Sequence, residues 1–172
     1  MTREEFIKQL KKKKYSYEIE GDKLVVTGGD KNGGVDLDAL TSLPPGVEFR
    51  NKSSVNLDFL TSLPPGVKFE NGGSVYLYAL TSLPPGVVFK NEGDVKLNAL
   101  TSIPPGVVFK NGGYVYLSSL TSLPPGVEFK NKGDVNLDAL TGGLFSRWSG
   151  NIEGVHSKRL LNVMINKGLF EK

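Results

Sequence analysis

Apolar residues recur along this chain in a fixed order: two at alternate positions, two spaced by three, then two more at alternate positions. From Val35 the order reads Val35-x-Leu37, Leu40-x-x-Leu43 and Val47-x-Phe49, and it begins again at Val55, Val75, Val95 and Val115, with a partial copy at Val135. The unit can be written V-x-L-x-x-L-T-S-L-P-P-G-V-x-F-x-N-x-G-x, twenty residues without insertion. A fixed period of that length predicts a solenoid in which each unit forms one coil.

V-x-L and V-x-F each alternate as a short strand with its apolar side chains inward, and Leu40 and Leu43 point inward from the bend between them. Pro45-Gly46 suits the centre of a type II turn, where proline presets φ and glycine takes the positive φ. Asn51 and the residues after it turn the other corner. Two strands and two corners per coil would build two parallel sheets, climbing roughly 4.8 Å per coil. All ten prolines fall in pairs at the corner, where the N–H they lack belongs to no strand ladder. Asn51, Asn71, Asn91, Asn111 and Asn131 form a column expected to bond a corner or the next Asn. The Thr column from Thr41 to Thr141 is expected to act similarly.

Both ends break the pattern, as a solenoid with open sheet ends requires. Thr2 and Glu5 form a capping box opening a helix to about Lys13, with Phe6, Ile7 and Leu10 on its apolar side. Tyr15, Tyr17 and Ile19 then alternate before a turn near Gly21-Asp22, and Leu24 and Val26 follow it as a hairpin's second strand. Leu24-x-Val26 can stand as the first strand of the V-x-F sheet, with three extra residues in the corner after it. At the other end, Val155 and Leu160 fall in the Val135 and Leu140 columns, and a short helix is expected to carry Leu160, Leu161, Met164 and Ile165. Phe145, Trp148, Leu169 and Phe170 would seal the last coil. The expected fold is thus mainly β: a right-handed parallel β-solenoid of 20-residue coils with an α/β N-terminal cap and a helical C-terminal cap. It is one domain over 1–172, divided into cap 1–32, repeats 33–141 and cap 142–172.

Composition narrows the chemistry. With 38% hydrophobic and 23% charged residues in 172, a folded chain is expected rather than a disordered one. A net charge of +3 is too small to argue for nucleic acid. The chain has no cysteine, which excludes disulfides and thiolate metal sites. No apolar run approaches a membrane span, and the N-terminus lacks an apolar signal core, so a cytoplasmic location is expected.

The stretches "LTSLPPGV" and "GGSVYLYALTSLPPG" resemble leucine-rich-repeat-like solenoids of bacteria, bacteriophages and metagenomes, over about residues 33–141. V-x-F-x-N replaces the usual L-x-L-x-x-N, which favours a compact β-solenoid over a horseshoe. The resemblance implies a repeat scaffold that binds protein, and it says little else about function.

Catalysis finds poor material. His156, the one histidine, neighbours Ser157 and Glu153, but adjacent residues on a strand point apart. The Gly-Gly pairs match no phosphate-cradling spacing. No enzyme activity, cofactor or metal is expected. The outward columns, where the copies differ, are more informative. On the V-x-L sheet, Tyr76, Tyr78, Tyr114 and Tyr116 converge within about two coil steps, with Asp58 and Lys96 among them. Exposed tyrosines among polar groups suit contact surfaces, although aromatics also simply suit strands. On the V-x-F sheet, Lys90, Lys110 and Lys130 form a stripe beside Val88 and Val108, fit for an anionic partner or for a solvated face that discourages aggregation. Of the residues in "LTSLPPGVEF", Glu48 varies between copies and is expected to be free for a partner. The expected function is a protein-binding scaffold. The alternatives are a purely structural or self-assembling solenoid, and a carbohydrate-binding surface.

Overall fold

The computed structural model of the protein describes residues 1–124 and 126–140. The expectations placed on His156 and on the C-terminal cap fall outside them. Within them the chain winds into a parallel β-solenoid of about six turns. One sheet, formed by the V-x-F segments, holds β4 (Val47–Phe49), β6 (Lys68–Phe69), β8 (Val88–Phe89), β10 (Val108–Phe109) and β12 (Glu128–Phe129). The V-x-L segments form the other: β3 (Val35–Asp36), β5 (Val55–Asn56), β7 (Val75–Tyr76), β9 (Val95–Lys96), β11 (Val115–Tyr116) and β13 (Val135–Asn136). Every coil pairs with the next at an offset of one repeat, Val35 with Val55 and Phe49 with Phe69. The register is therefore the period of the sequence.

Each of the first five coils has six inward apolar positions. In the third these are Val75, Leu77, Leu80, Leu83, Val87 and Phe89; in the first, Leu40 is half-buried. The L-x-x-L bend closes on a Leu40 N–H to Leu37 carbonyl bond of 3.0 Å, repeated in the later coils. Gly86 at the proline corner has φ 73°, the left-handed value a turn there demands. Down the core, Phe49, Phe69, Phe89, Phe109 and Phe129 stack with ring centroids 5.2–5.4 Å apart.

The opposite corner is fastened by asparagine. Asn71 Nδ2 donates to the Gly73 carbonyl of its own coil and to the Ser53 carbonyl of the coil before, each at 3.0 Å. Asn91 and Asn111 repeat this with Gly73 and Gly93. The amides thus bond corner carbonyls and not one another. The threonine column is different. It is exposed, and among the described residues its one side-chain bond along the stack is Thr121 Oγ1 to the Thr101 carbonyl at 3.5 Å. Its position on the outside of a bend offers no enclosed carbonyls to satisfy.

At the N-terminal end, α1 (Arg3–Lys13) starts from the Thr2–Glu5 capping box and buries Phe6 and Leu10. A hairpin of β1 (Tyr17–Glu20) and β2 (Lys23–Val26) follows, and β2 pairs in parallel with β4, Leu24 to Val47 and Val26 to Phe49. That offset exceeds one repeat by three. The loop after β2 takes up the difference, with Asp30 Oδ1 accepting from the Asn32 and Gly34 N–H groups. Ile19 is 60% exposed on β1, the outer strand of its sheet. It shares the face of its cross-strand partner Leu24, which is buried, but at the outer edge of the sheet Ile19 is left uncovered. No helix among the described residues is long and apolar enough to cross a membrane.

Candidate functional site

The V-x-L sheet displays its outward side chains in columns one coil apart. Tyr76, Lys96 and Tyr116 occupy one column, as the pairing of β7, β9 and β11 dictates. Asp58, Tyr78, Asn98 and Ser118 occupy the next, two residues along each strand. The tyrosines gather as two pairs: Tyr76–Tyr78 with centroids 6.0 Å apart, and Tyr114–Tyr116 with centroids 6.2 Å apart, both tilted. Tyr78 and Tyr114 are exposed, while Tyr76 and Tyr116 are half-buried.

Lys96 lies between the pairs. Its Nζ sits 3.3 Å from the Tyr116 ring centroid and 3.0 Å from Asp94 Oδ2. Burial would lower its pKa, but the Asp94 carboxylate and the Tyr116 hydroxyl outweigh burial and raise it. Asp94 also braces the backbone: its Oδ1 accepts the Tyr114 N–H at 2.8 Å, as Ser74 Oγ accepts the Asp94 N–H. Asp58 is placed differently. Its Oδ1 is buried without a hydrogen-bond partner, and burial, then the charges of Asp38 and Asp36, push its carboxyl above the usual range.

Sequence reasoning missed Phe59. It is 62% exposed beside Asp58, in a column that elsewhere reads Ala39, Ala79, Ala99, Ser119 and Ala139. That contrast was the available signal: one large aromatic where every other copy is small.

The V-x-F face departs further from expectation. Glu48 is not free: its side chain is 2% exposed, with Oε1 3.1 Å from Lys23 Nζ and 3.0 Å from Lys68 Nζ, and Oε2 against Arg50. Burial alone would raise its pKa, yet Lys68, Lys23 and Arg50 hold it at about 2. The side chain does point out of the coil, and its neighbours then close over it. The lysine stripe is partly neutralised as well, Lys90 pairing with Glu70 at 3.3 Å and Lys130 with Glu128. Lys110 has no ion pair among the described residues. Val88 and Val108 are half-buried rather than exposed. A shallow groove of about 190 Å³ runs between the proline corners of two coils, lined by Pro65, Pro85, Val67 and Val88 with Lys68 and Lys90 at its side.

The described chain is thus a β-solenoid with one aromatic, carboxylate-rich face and one face of largely paired charges. No protein-family model matches it, and no curated protein or solved structure was found to be similar.

Proposed function

We propose that the protein is a non-catalytic scaffold that captures a protein partner on its V-x-L face, through Tyr76, Tyr78, Tyr114 and Tyr116 together with Phe59. The observation that carries this reading is the pair of tyrosine pairs, Tyr76–Tyr78 and Tyr114–Tyr116, displayed by the V-x-L coils, with exposed Phe59 in the bend of the coil before them. Tyr78, Tyr114 and Phe59 are bare to solvent, while Tyr76 and Tyr116 are half-buried. Rings fixed at their base by neighbouring coils lose little freedom on binding, and tyrosine offers a wide apolar surface with a polar tip. Lys96 sits among them with its charge already paired, and Asp58 lies at the edge with its charge unpaired. The leucine-rich-repeat-like motifs point to the same class of role, and the absence of cysteine suits a cytoplasmic setting.

The test is affinity capture from the native host, followed by binding of the purified partner to the triple variant Tyr76→Ala, Tyr78→Ala, Tyr116→Ala. Affinity should fall by at least tenfold while the melting temperature changes little, since these side chains lie outside the core. Unchanged affinity would overturn the assignment of this face.

A second reading, self-assembly, draws on β1. That strand lies at the edge of its sheet and carries exposed Ile19. It predicts light scattering that rises with protein concentration and falls with Ile19→Lys. A monomer at millimolar concentration would exclude it.

A further inference from the structure

The V-x-L face already seats one cation, and the arrangement shows what the same face would take from a partner. Lys96 is held by one ring and one carboxylate, Tyr116 at 3.3 Å and Asp94 at 3.0 Å, and its side chain is 17% exposed. A desolvated ammonium over an aromatic face beside an anion is a favourable seat.

The same two residue types meet at Asp58 and Tyr78. They are neighbours in one column on adjacent coils, and the Asp58 carbonyl accepts the Ala79 N–H at 3.0 Å. Here no ion pair reaches the carboxylate among the described residues. The residues around Asp58 on this face are Asp36, Asp38, Asn56, Phe59, Tyr76 and Tyr78. Lys13 of the cap pairs with Asp36 at 3.7 Å. Burial and two like charges raise the Asp58 carboxyl, and its Oδ1 has no partner. The imbalance extends over this end of the face, whose outward positions in the first two coils carry Asp36, Asp38 and Asp58 and no lysine or arginine. The opposite face carries five cations to three carboxylates.

We infer that Asp58 and Tyr78 form a seat for an arginine side chain of a basic partner segment, with the guanidinium on the Tyr78 ring and bonded to the open oxygen of the Asp58 carboxylate. Phe59, exposed beside Asp58, covers the aliphatic stem. Arginine fits better than lysine because its planar group stacks on a ring while its edge N–H groups remain free to bond a carboxylate beside that ring. The inference rests on the reading of this face as a protein-binding surface and adds the chemistry of what binds.

The experiment titrates the isotope-labelled full chain with the peptide acetyl-Gly-Arg-Gly-Arg-Gly-amide, and with the same peptide carrying citrulline, following backbone amide shifts by NMR. The arginine peptide should give saturable shifts at Asp58, Phe59 and Tyr78, weakened at least fivefold by Asp58→Asn, and the citrulline peptide should give none. Lys96→Ala should open the Asp94–Tyr116 seat and add a second set of saturable shifts there. Equal responses to the two peptides, shifts spread evenly over every carboxylate, or indifference to Asp58→Asn would each overturn the seat. A captured partner that loses affinity for the tyrosine variants but not for Asp58→Asn would also overturn it, while leaving the proposed binding face standing. Melting curves of both single variants establish that the fold is retained.

Discussion

Tyr15 and Asp36 exchange two hydrogen bonds at the open end of the V-x-L sheet. The Asp36 N–H donates to the Tyr15 hydroxyl oxygen at 3.2 Å, and that hydroxyl donates to the Asp36 carbonyl at 3.4 Å. One phenol thus occupies a backbone donor and acceptor that β3, the outermost strand, would otherwise offer to another chain. Tyr15→Phe keeps the ring and deletes both bonds. We expect a loss of about 1–2 kcal/mol in urea unfolding, together with stronger light scattering. No change in either would mean that α1 protects the edge without the phenol.

Glu48 ties the cap to the first two coils through Lys23, Arg50 and Lys68. Its folded pKa of about 2 lies below the ordinary 4.5, so its contribution is fully present above pH 4.5 and is lost as pH falls through 2. Because its three cations remain in contact with water, we expect about 1–3 kcal/mol rather than the full value of the shift. Glu48→Gln should be destabilised by that amount at pH 7, and the gap from the unaltered chain should close near pH 2. Unfolding free energies measured across that range check it, and a gap independent of pH would assign the effect to packing instead.

Two glycines of neighbouring corners should respond differently to alanine. At Gly86 a Cβ would meet nothing within 4 Å, and the cost is the positive φ alone, about 1 kcal/mol. At Gly93 a Cβ would lie 2.6 Å from the Ser74 nitrogen and 2.7 Å from the Gly73 carbonyl carbon, backbone that cannot step aside. Gly93→Ala should therefore cost about 2–3 kcal/mol by prising two coils apart. Thermal unfolding of the two variants gives the comparison, and equal costs would show that the corner yields more readily than its geometry implies.

Period and register were legible in the sequence because a solenoid carries its contacts at a constant separation. Val35 meets Val55 for the reason that it resembles it. Even the irregular entry could be read: Leu24 and Val26 keep the inward alternation, and the surplus of three residues has to be a loop. Glu48 was misread because alternation tells which way a side chain leaves the strand, not what closes over it. Its cover comes from Arg50 two residues on, from Lys68 a coil later and from Lys23 in the cap. Tyr15 reads as one more alternating aromatic, and its service to Asp36 depends on where α1 delivers the chain. The tyrosine face was visible as a disagreement among copies. Phe59 belonged to the same disagreement, one position past the columns compared. The seat of Lys96 needed coordinates, since it joins residues of two coils.

The asparagine corner has a direction. Asn71 reaches back to the Ser53 carbonyl, Asn91 to that of Gly73 and Asn111 to that of Gly93. Each coil is thus finished by the one that follows it, and each newcomer finds its template already laid. A ribosome releases the coils in that same order, so the carbonyls of one corner wait only about twenty residues of synthesis for their amide. The molecule can be completed while it is being made, one coil behind the growing end.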